Sequence, residues 1–458
     1  MMKDQVLPLP RKIYIVNSYG PNFGDIAIII AMLATLKEKF PSAEFSIAAV
    51  GPEMIANYAG DAKVVRSTGS RSNKASRQLI AFVELIRNLT WLYCRKKGID
   101  LFFIAGRETR RSLREYLDAD LIISCGGGYL NDNYGPASLG CLWDIHLGNL
   151  LHKPVVLYAL SIGPYRSRFL KAVARHVLDG VSLIICRNDI SARALGEMSV
   201  KSPAVHVTAD IAIVLPPAER QQAEAILYRE GIGDISRLVT VTVTAWPFPG
   251  TADYGRKRQQ YLDALGALLD YAARKYRAAI LFVPMDFHYK FPEPGKPGLL
   301  ARTIAQGRKL RHWFLNRSII DEREGMRQIC GQIRDGNAKI LEGHYSPGEI
   351  KAILGLSRIH VATRMHSSIF AAACGTPILG IVYEPKMRAF LKSLKQEPFI
   401  LDIADLDAGD LIRRFDELWE NNEKTRQIIR RETEMQQRTA GLNAGLILAA
   451  FDRRSEAG

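Results

Sequence analysis

Short runs of β-branched and aliphatic residues alternate along this chain with longer stretches whose apolar positions recur at helical spacing. That alternation marks parallel strands covered by helices, since a strand buried on both faces reads as a continuous apolar run. The runs predict strands over 12–17, 44–50, 121–124, 155–160, 183–186 and 205–208, with helices between them at 26–40, 168–178 and 191–195. Leu215-Pro216-Pro217 then interrupts the pattern. It restarts with a helix near 219–230 and predicted strands over 238–244, 279–283, 338–341, 359–362 and 378–382. The stretch 292–298 (PEPGKPG) reads as a turn-rich loop, and about 410–451 as charged helix. The economical reading is an α/β fold in two similar halves, residues 1–217 and 218–458.

Composition narrows the class. Of 458 residues, 47% are apolar and 24% charged, proportions that exclude a disordered, collagen-like or disulfide-framework chain. The first apolar run, 13–16, is far shorter than a signal-peptide core, and the longest, 26–36, falls short of the roughly 20 residues a spanning helix needs. The six cysteines are scattered singly, which fits a reducing cytoplasm. The nine histidines contain no H-x-x-x-H pair, so no protein-bound metal is expected.

The net charge of +15 is concentrated. Between Lys63 and Arg114 thirteen Lys or Arg stand against three Asp or Glu, a net +10. Inside this basic segment, 63–115, residues 79–93 read as an apolar helix containing Phe82, Leu85, Ile86, Leu89, Trp91 and Leu92, flanked by Arg77, Arg87, Arg95, Lys96 and Lys97. The pattern fits a helix lying on an anionic bilayer, and it also fits a core-packed helix with a solvated basic face. No nucleic-acid signature accompanies it, so nucleic acid is not an expected partner.

In open parallel sheets, ligands bind beyond the carboxyl ends of the strands. The first such loop ends in Phe23-Gly24-Asp25 and runs directly into an apolar helix; it is neither a P-loop nor G-x-G-x-x-G, and Asp25 would serve there as helix N-cap. After 121–124 come Gly126, Gly127 and Gly128, whose backbone N–H groups can approach an anion. After 183–186 comes Arg187, able to reach a ligand or to pair with a carboxylate, with Asp189 as a cap. The most informative loop is Thr363-Arg364-Met365-His366-Ser367-Ser368, which sets an arginine and an imidazole at a helix N-terminus, where anions are favoured. Lys386 adds a cation after the next strand.

Taken in order, these pieces resemble the bacterial polysaccharide pyruvyl transferases. The pieces are Gly24-Asp25, 120–128 (DLIISCGGG), 161–164 (SIGP), Arg187 with Asp189 and Ser191, Asp210, Ser346-Pro347 before Glu349, Arg364-Met365-His366, and Tyr383 with Lys386. The resemblance implies a GT-B-like architecture, two Rossmann-like domains facing a cleft. It also implies transfer of the enolpyruvyl group of phosphoenolpyruvate onto two hydroxyls of a sugar, giving a pyruvate ketal and phosphate, with no cofactor. On that resemblance Arg364 binds an anion and His366 is the general acid. Lys386, Arg187, Gly24, Asp25, Gly126, Gly127, Gly128 and Ser367 line the substrate site.

The chain departs from the family pattern in a longer first loop, in Ile26 where an acidic residue is usual, and in Met365 in place of leucine. The expected partners are phosphoenolpyruvate, a sugar acceptor, free or lipid-linked, and an anionic membrane surface. The expected location is the cytoplasm and the inner face of the plasma membrane. The alternative on the same fold is a nucleotide-sugar glycosyltransferase of cell-surface glycan synthesis.

Overall fold

The computed structural model describes residues 9–68, 86–95, 97–99, 107–201, 203–245, 248, 253–286, 322–334 and 338–457. The turn-rich stretch 292–298 and residues 79–85 of the basic helical stretch lie outside them. The chain forms two compact units. The first comprises residues 1–21, 25–211 and 437–458, and the second 22–24 and 212–436.

In the first unit eight parallel strands run β1 (Lys12–Tyr19), β2 (Glu44–Val50), β3 (Lys63–Arg66), β4 (Leu121–Ser124), β5 (Gly127–Leu130), β6 (Val155–Ile162), β7 (Leu183–Cys186) and β8 (Ala204–Val207). Their spatial order is β3-β2-β1-β4-β6-β7-β8, with β5 pairing onto β6. The second unit holds β9 (Leu238–Val241), β10 (Ala279–Phe282), β11 (Ala338–Ile340), β12 (Ile359–Ala362), β13 (Ile378–Val382) and β14 (Ile400–Asp402), ordered β11-β10-β9-β12-β13-β14. Both are doubly wound, Rossmann-like sheets whose order reverses once, beside β1 and beside β9.

The central strands β4, β7, β9, β10, β12 and β13 are buried at every position, as strands covered on both faces must be. Around them Tyr14, Ile122, Leu157 and Ile184 anchor one core, and Val239, Leu265, Phe282, Ile381 and Phe415 the other. Local chemistry sets the helix starts. Ser346 and Glu349 form a reciprocal capping box, with Pro347 in the first turn.

The structure moves three sequence-based expectations. The first helix begins at Phe23, so Gly24 and Asp25 sit inside its first turn, and the Gly24 N–H donates to Asn22 Oδ1 at 2.8 Å. Asp25 is therefore not the N-cap. Likewise Asn188 caps the helix Asp189–Glu197 through the Ser191 N–H at 3.0 Å, and Asp189 is its first residue. Finally, residues 437–458 belong to the first unit, although the sequence placed them with the second half. Their last helix, Asn443–Ala457, packs on β6 and β7 with Ala444 and Ile447 buried.

Candidate active site

The switch point of the second sheet lies between β9 and β12, and the loops leaving β9, β10, β12 and β13 there gather the candidate chemistry. Hydroxyls fix the backbone first. Thr363 N–H donates to Thr242 Oγ1 at 3.0 Å, Thr363 Oγ1 donates to Thr242 O at 2.8 Å, and Ser367 Oγ donates to Arg364 O at 2.8 Å. All three side chains are buried, so this turn is held by satisfied polar groups. Ser367, expected at the substrate, instead shapes the loop that carries Arg364.

Arg364 is the residue before the helix Met365–Ala373. Its Nη2 donates to Asp286 Oδ2 and, at 2.7 Å, to Glu322 Oε2. Glu322 Oε1 in turn accepts the N–H groups of Met285 and Asp286 at 2.7 and 2.9 Å. Asp286 Oδ1 accepts from Asn22 Nδ2 at 2.6 Å. One guanidinium thus faces two carboxylates. Burial opposes the arginine's charge, but Asp286 and Glu322 outweigh it and hold the group firmly protonated. Burial pushes the Glu322 carboxyl up, Arg364 pulls it down, and Asp286 adds to the rise; the net direction is up. The buried Arg364 Nε has no hydrogen-bond partner among the described residues, an unspent donor on an otherwise engaged fork.

His366 stands two residues on, in the first turn of the same helix, and its ring lies against Gly24. A Cβ on Gly24 would come within 2.0 Å of His366 Nδ1, so only glycine allows this approach. Residues 22–24 are carried to this place by the Phe23 N–H, which donates to Met285 O at 3.0 Å. Lys386 Nζ pairs with Glu384 at 2.8 Å after β13, beside the half-buried Tyr383, whose hydroxyl is raised by desolvation. Asp286 also lines a small, shallow recess with Phe23, Arg323, Gly343 and His344, among others.

The structure therefore brings together Arg364, His366, Ser367 and Gly24. Lys386 stands in the same unit, after β13, and the remaining expected residues belong to the first unit. Gly127 has φ +145° and faces Asp25 Oδ1, Gly126 leaves room for Ile28, and the Gly128 carbonyl accepts from Asn131 at 2.9 Å. Arg187 is buried, with Nη1 on Asp210 and Nε on Ser161 Oγ at 2.7 Å, the carboxylate-paired alternative that the sequence left open. Asp286 and Glu322 were missed. Asp286 stands four residues after β10, where strand-end reasoning would have found it; Glu322 is remote in sequence and carries no local signal. Among the described residues no cluster of three or more His, Cys, Asp or Glu could hold a metal.

The family model for polysaccharide pyruvyl transferase matches residues 22–385, from Asn22 through Asp286, Glu322, Arg364 and His366 to the residue before Lys386. The chain belongs to the polysaccharide pyruvyl transferase family. It is a pyruvyltransferase with a role in polysaccharide biosynthesis. The amylovoran biosynthesis protein AmsJ of Erwinia amylovora is 21% identical over 426 residues, 91% of this pyruvyltransferase and 93% of that protein. Among solved structures, Anabaena Alr3699/HepE in complex with UDP-glucose superposes with TM-score 0.55 at 13% identity, covering 98% of this chain and 100% of that one. UDP-GlcNAc 2-epimerase from Neisseria meningitidis, bound to UDP-GlcNAc, gives 0.54 at 12%, covering 96% and 100%. These likenesses establish the GT-B-like α/β fold of the pyruvyltransferase and nothing of its substrates. No described helix is long and apolar enough to cross a membrane.

Proposed function

We propose that this pyruvyltransferase moves the enolpyruvyl group of phosphoenolpyruvate onto two hydroxyls of one sugar in a polysaccharide or its lipid-linked precursor. The observation that carries this reading is the Arg364–His366 loop, an arginine with an unspent buried donor beside an imidazole seated on Gly24. A donor with both a carboxylate and a phosphate suits a guanidinium that can exchange Asp286 for an incoming anion while Glu322 keeps it oriented. His366 delivers a proton to the methylene carbon, which leaves the neighbouring carbon electrophilic; a first sugar hydroxyl adds there and loses its proton. Departure of phosphate makes the same carbon electrophilic again, and the second hydroxyl closes the ketal. No cofactor takes part, and Lys386 adds positive charge for the phosphate. The reaction belongs in the cytoplasm, at the inner face of the plasma membrane when the acceptor is lipid-linked.

The test is incubation with phosphoenolpyruvate and free or lipid-linked oligosaccharides, read by mass spectrometry for the added ketal and by phosphate release. Thermal stabilisation by a nucleotide sugar, with none by phosphoenolpyruvate, would replace this reading with a glycosyltransferase.

A further inference from the structure

The basic segment of the first unit contains a helix with two apolar faces. Within residues 86–95, Trp91 and Leu92 point inward and join the core of the first sheet, 0% and 6% exposed. Ile86, Leu89 and Tyr93 occupy the opposite side, since steps of three and four residues keep them on one stripe. They are 47%, 44% and 66% exposed, and Ile99 just beyond is 54% exposed. Four of the twelve large hydrophobic side chains exposed among the described residues thus fall within fourteen positions.

The polar side of this helix is cationic. Arg87, Arg95 and Lys97 are all exposed; Arg87 and Arg95 stand four residues to either side of Trp91 and flank its side of the helix, the Arg95 guanidinium 5.7 Å from the Trp91 ring centre. Elsewhere in the same basic segment the helix Arg107–Asp118 exposes Arg111 and Arg114. A solvated basic face, one of the two readings open at the sequence level, would not place isoleucine, leucine and tyrosine outward. A phosphate-backbone reader would gain nothing from them either. An outward aliphatic and tyrosyl stripe on a helix that also exposes cations matches the boundary between acyl chains and anionic headgroups.

We propose that this outward stripe, Ile86, Leu89, Tyr93 and Ile99, seats the enzyme on an anionic lipid bilayer, with the exposed cations of the same basic segment drawn to the headgroups. The inference is independent of the donor assignment. It is tested by co-sedimentation of the full chain with sucrose-loaded vesicles of phosphatidylcholine alone or with 30% phosphatidylglycerol, at low and high salt, and with soluble heparin or duplex DNA as competitor (lipid fraction roughly that of an anionic leaflet).

The wild-type chain should sediment with the anionic vesicles at low salt and far less with neutral ones. Ile86→Ser/Leu89→Ser/Tyr93→Ser should lower the partition coefficient at least about tenfold with an unchanged melting temperature, because the replaced side chains are exposed. Arg87→Glu/Arg95→Glu should lower it further, at about fivefold per cation removed. Wild-type chain left in the supernatant overturns the proposal. So does a folded serine variant that sediments like wild type, which would make the contact purely electrostatic. Heparin or DNA removing the chain from vesicles equally in wild type and serine variant would assign the surface to a soluble polyanion instead.

Discussion

Two strand-end loops each present an arginine, and they use it differently. After β7, Arg187 is sealed, its side chain 2% exposed against an Asp210 that is 5% exposed, one cation matched to one carboxylate. After β12, Arg364 is 23% exposed and faces two carboxylates, Glu322 at 6% and Asp286 at 45%. A matched buried pair is a lock, because removing either member strands a charge. A cluster with a surplus carboxylate and a wet rim can give one partner up to an incoming anion. An arginine at a strand end is therefore not by itself a substrate contact; what decides is whether its partners can be exchanged.

Substitutions can break this contrast. The largest effect is expected at His366→Gln, which keeps size and polarity but removes the titrating acid: turnover should fall roughly 10²- to 10⁴-fold, with donor binding and melting temperature retained. A stable, fully active variant would refute the role. Next comes Arg187→Met, which leaves Asp210 buried without its cation and should cost about 3–5 kcal/mol in chemical denaturation while activity per folded molecule persists. A well-folded but inactive Arg187→Met protein would erase the distinction between the two loops.

Arg364→Lys keeps the charge and loses the planar fork, so the Michaelis constant for donor should rise about 10- to 100-fold with less than about 1 kcal/mol change in stability. Steady-state kinetics beside a melting curve separates the two. The smallest effect concerns Glu322. Its folded carboxyl lies above its ordinary value of 4.5, so the native state holds the proton more tightly than the unfolded chain. That contribution is full below the unfolded value and is lost as pH rises through the folded one. Glu322→Gln should therefore flatten the fall in stability above pH 4.5 by at most about 1.4 kcal/mol per pH unit, measured as denaturation midpoints across pH.

Much of the fold was legible because its strands are buried on both faces. The predicted limits 44–50, 121–124, 183–186, 359–362 and 378–382 coincide with β2, β4, β7, β12 and β13. Three strands escaped notice for physical reasons. β3 is an edge strand of four residues, KVVR, hidden in a cationic run; β5 is GGYL, whose glycines read as a strand-end loop open to an anion; β14 is only three residues long. At the site, the placing of Arg364 and His366 on one strand-end loop was readable because only Met365 separates them. The carboxylates that govern Arg364 were not, because their meeting depends on how the β9–β12 end of the sheet is wound, and glycine's role at position 24 appears only once a ring lies against it.

The helix Asn443–Ala457 has one more consequence, for the order in which the chain can fold. It covers β6 and β7 of the first unit, yet residues 212–436 of the second unit separate it from the rest of that unit. During synthesis the first unit leaves the ribosome lacking a wall, and the apolar faces of β6 and β7 on that side await residues 443–457, made only after the second unit. The second unit, as an insertion within the first, has all its own parts earlier and can close first. A fragment cut at residue 211 would carry the same exposed face permanently, which marks the unit boundary as a poor place to divide this enzyme.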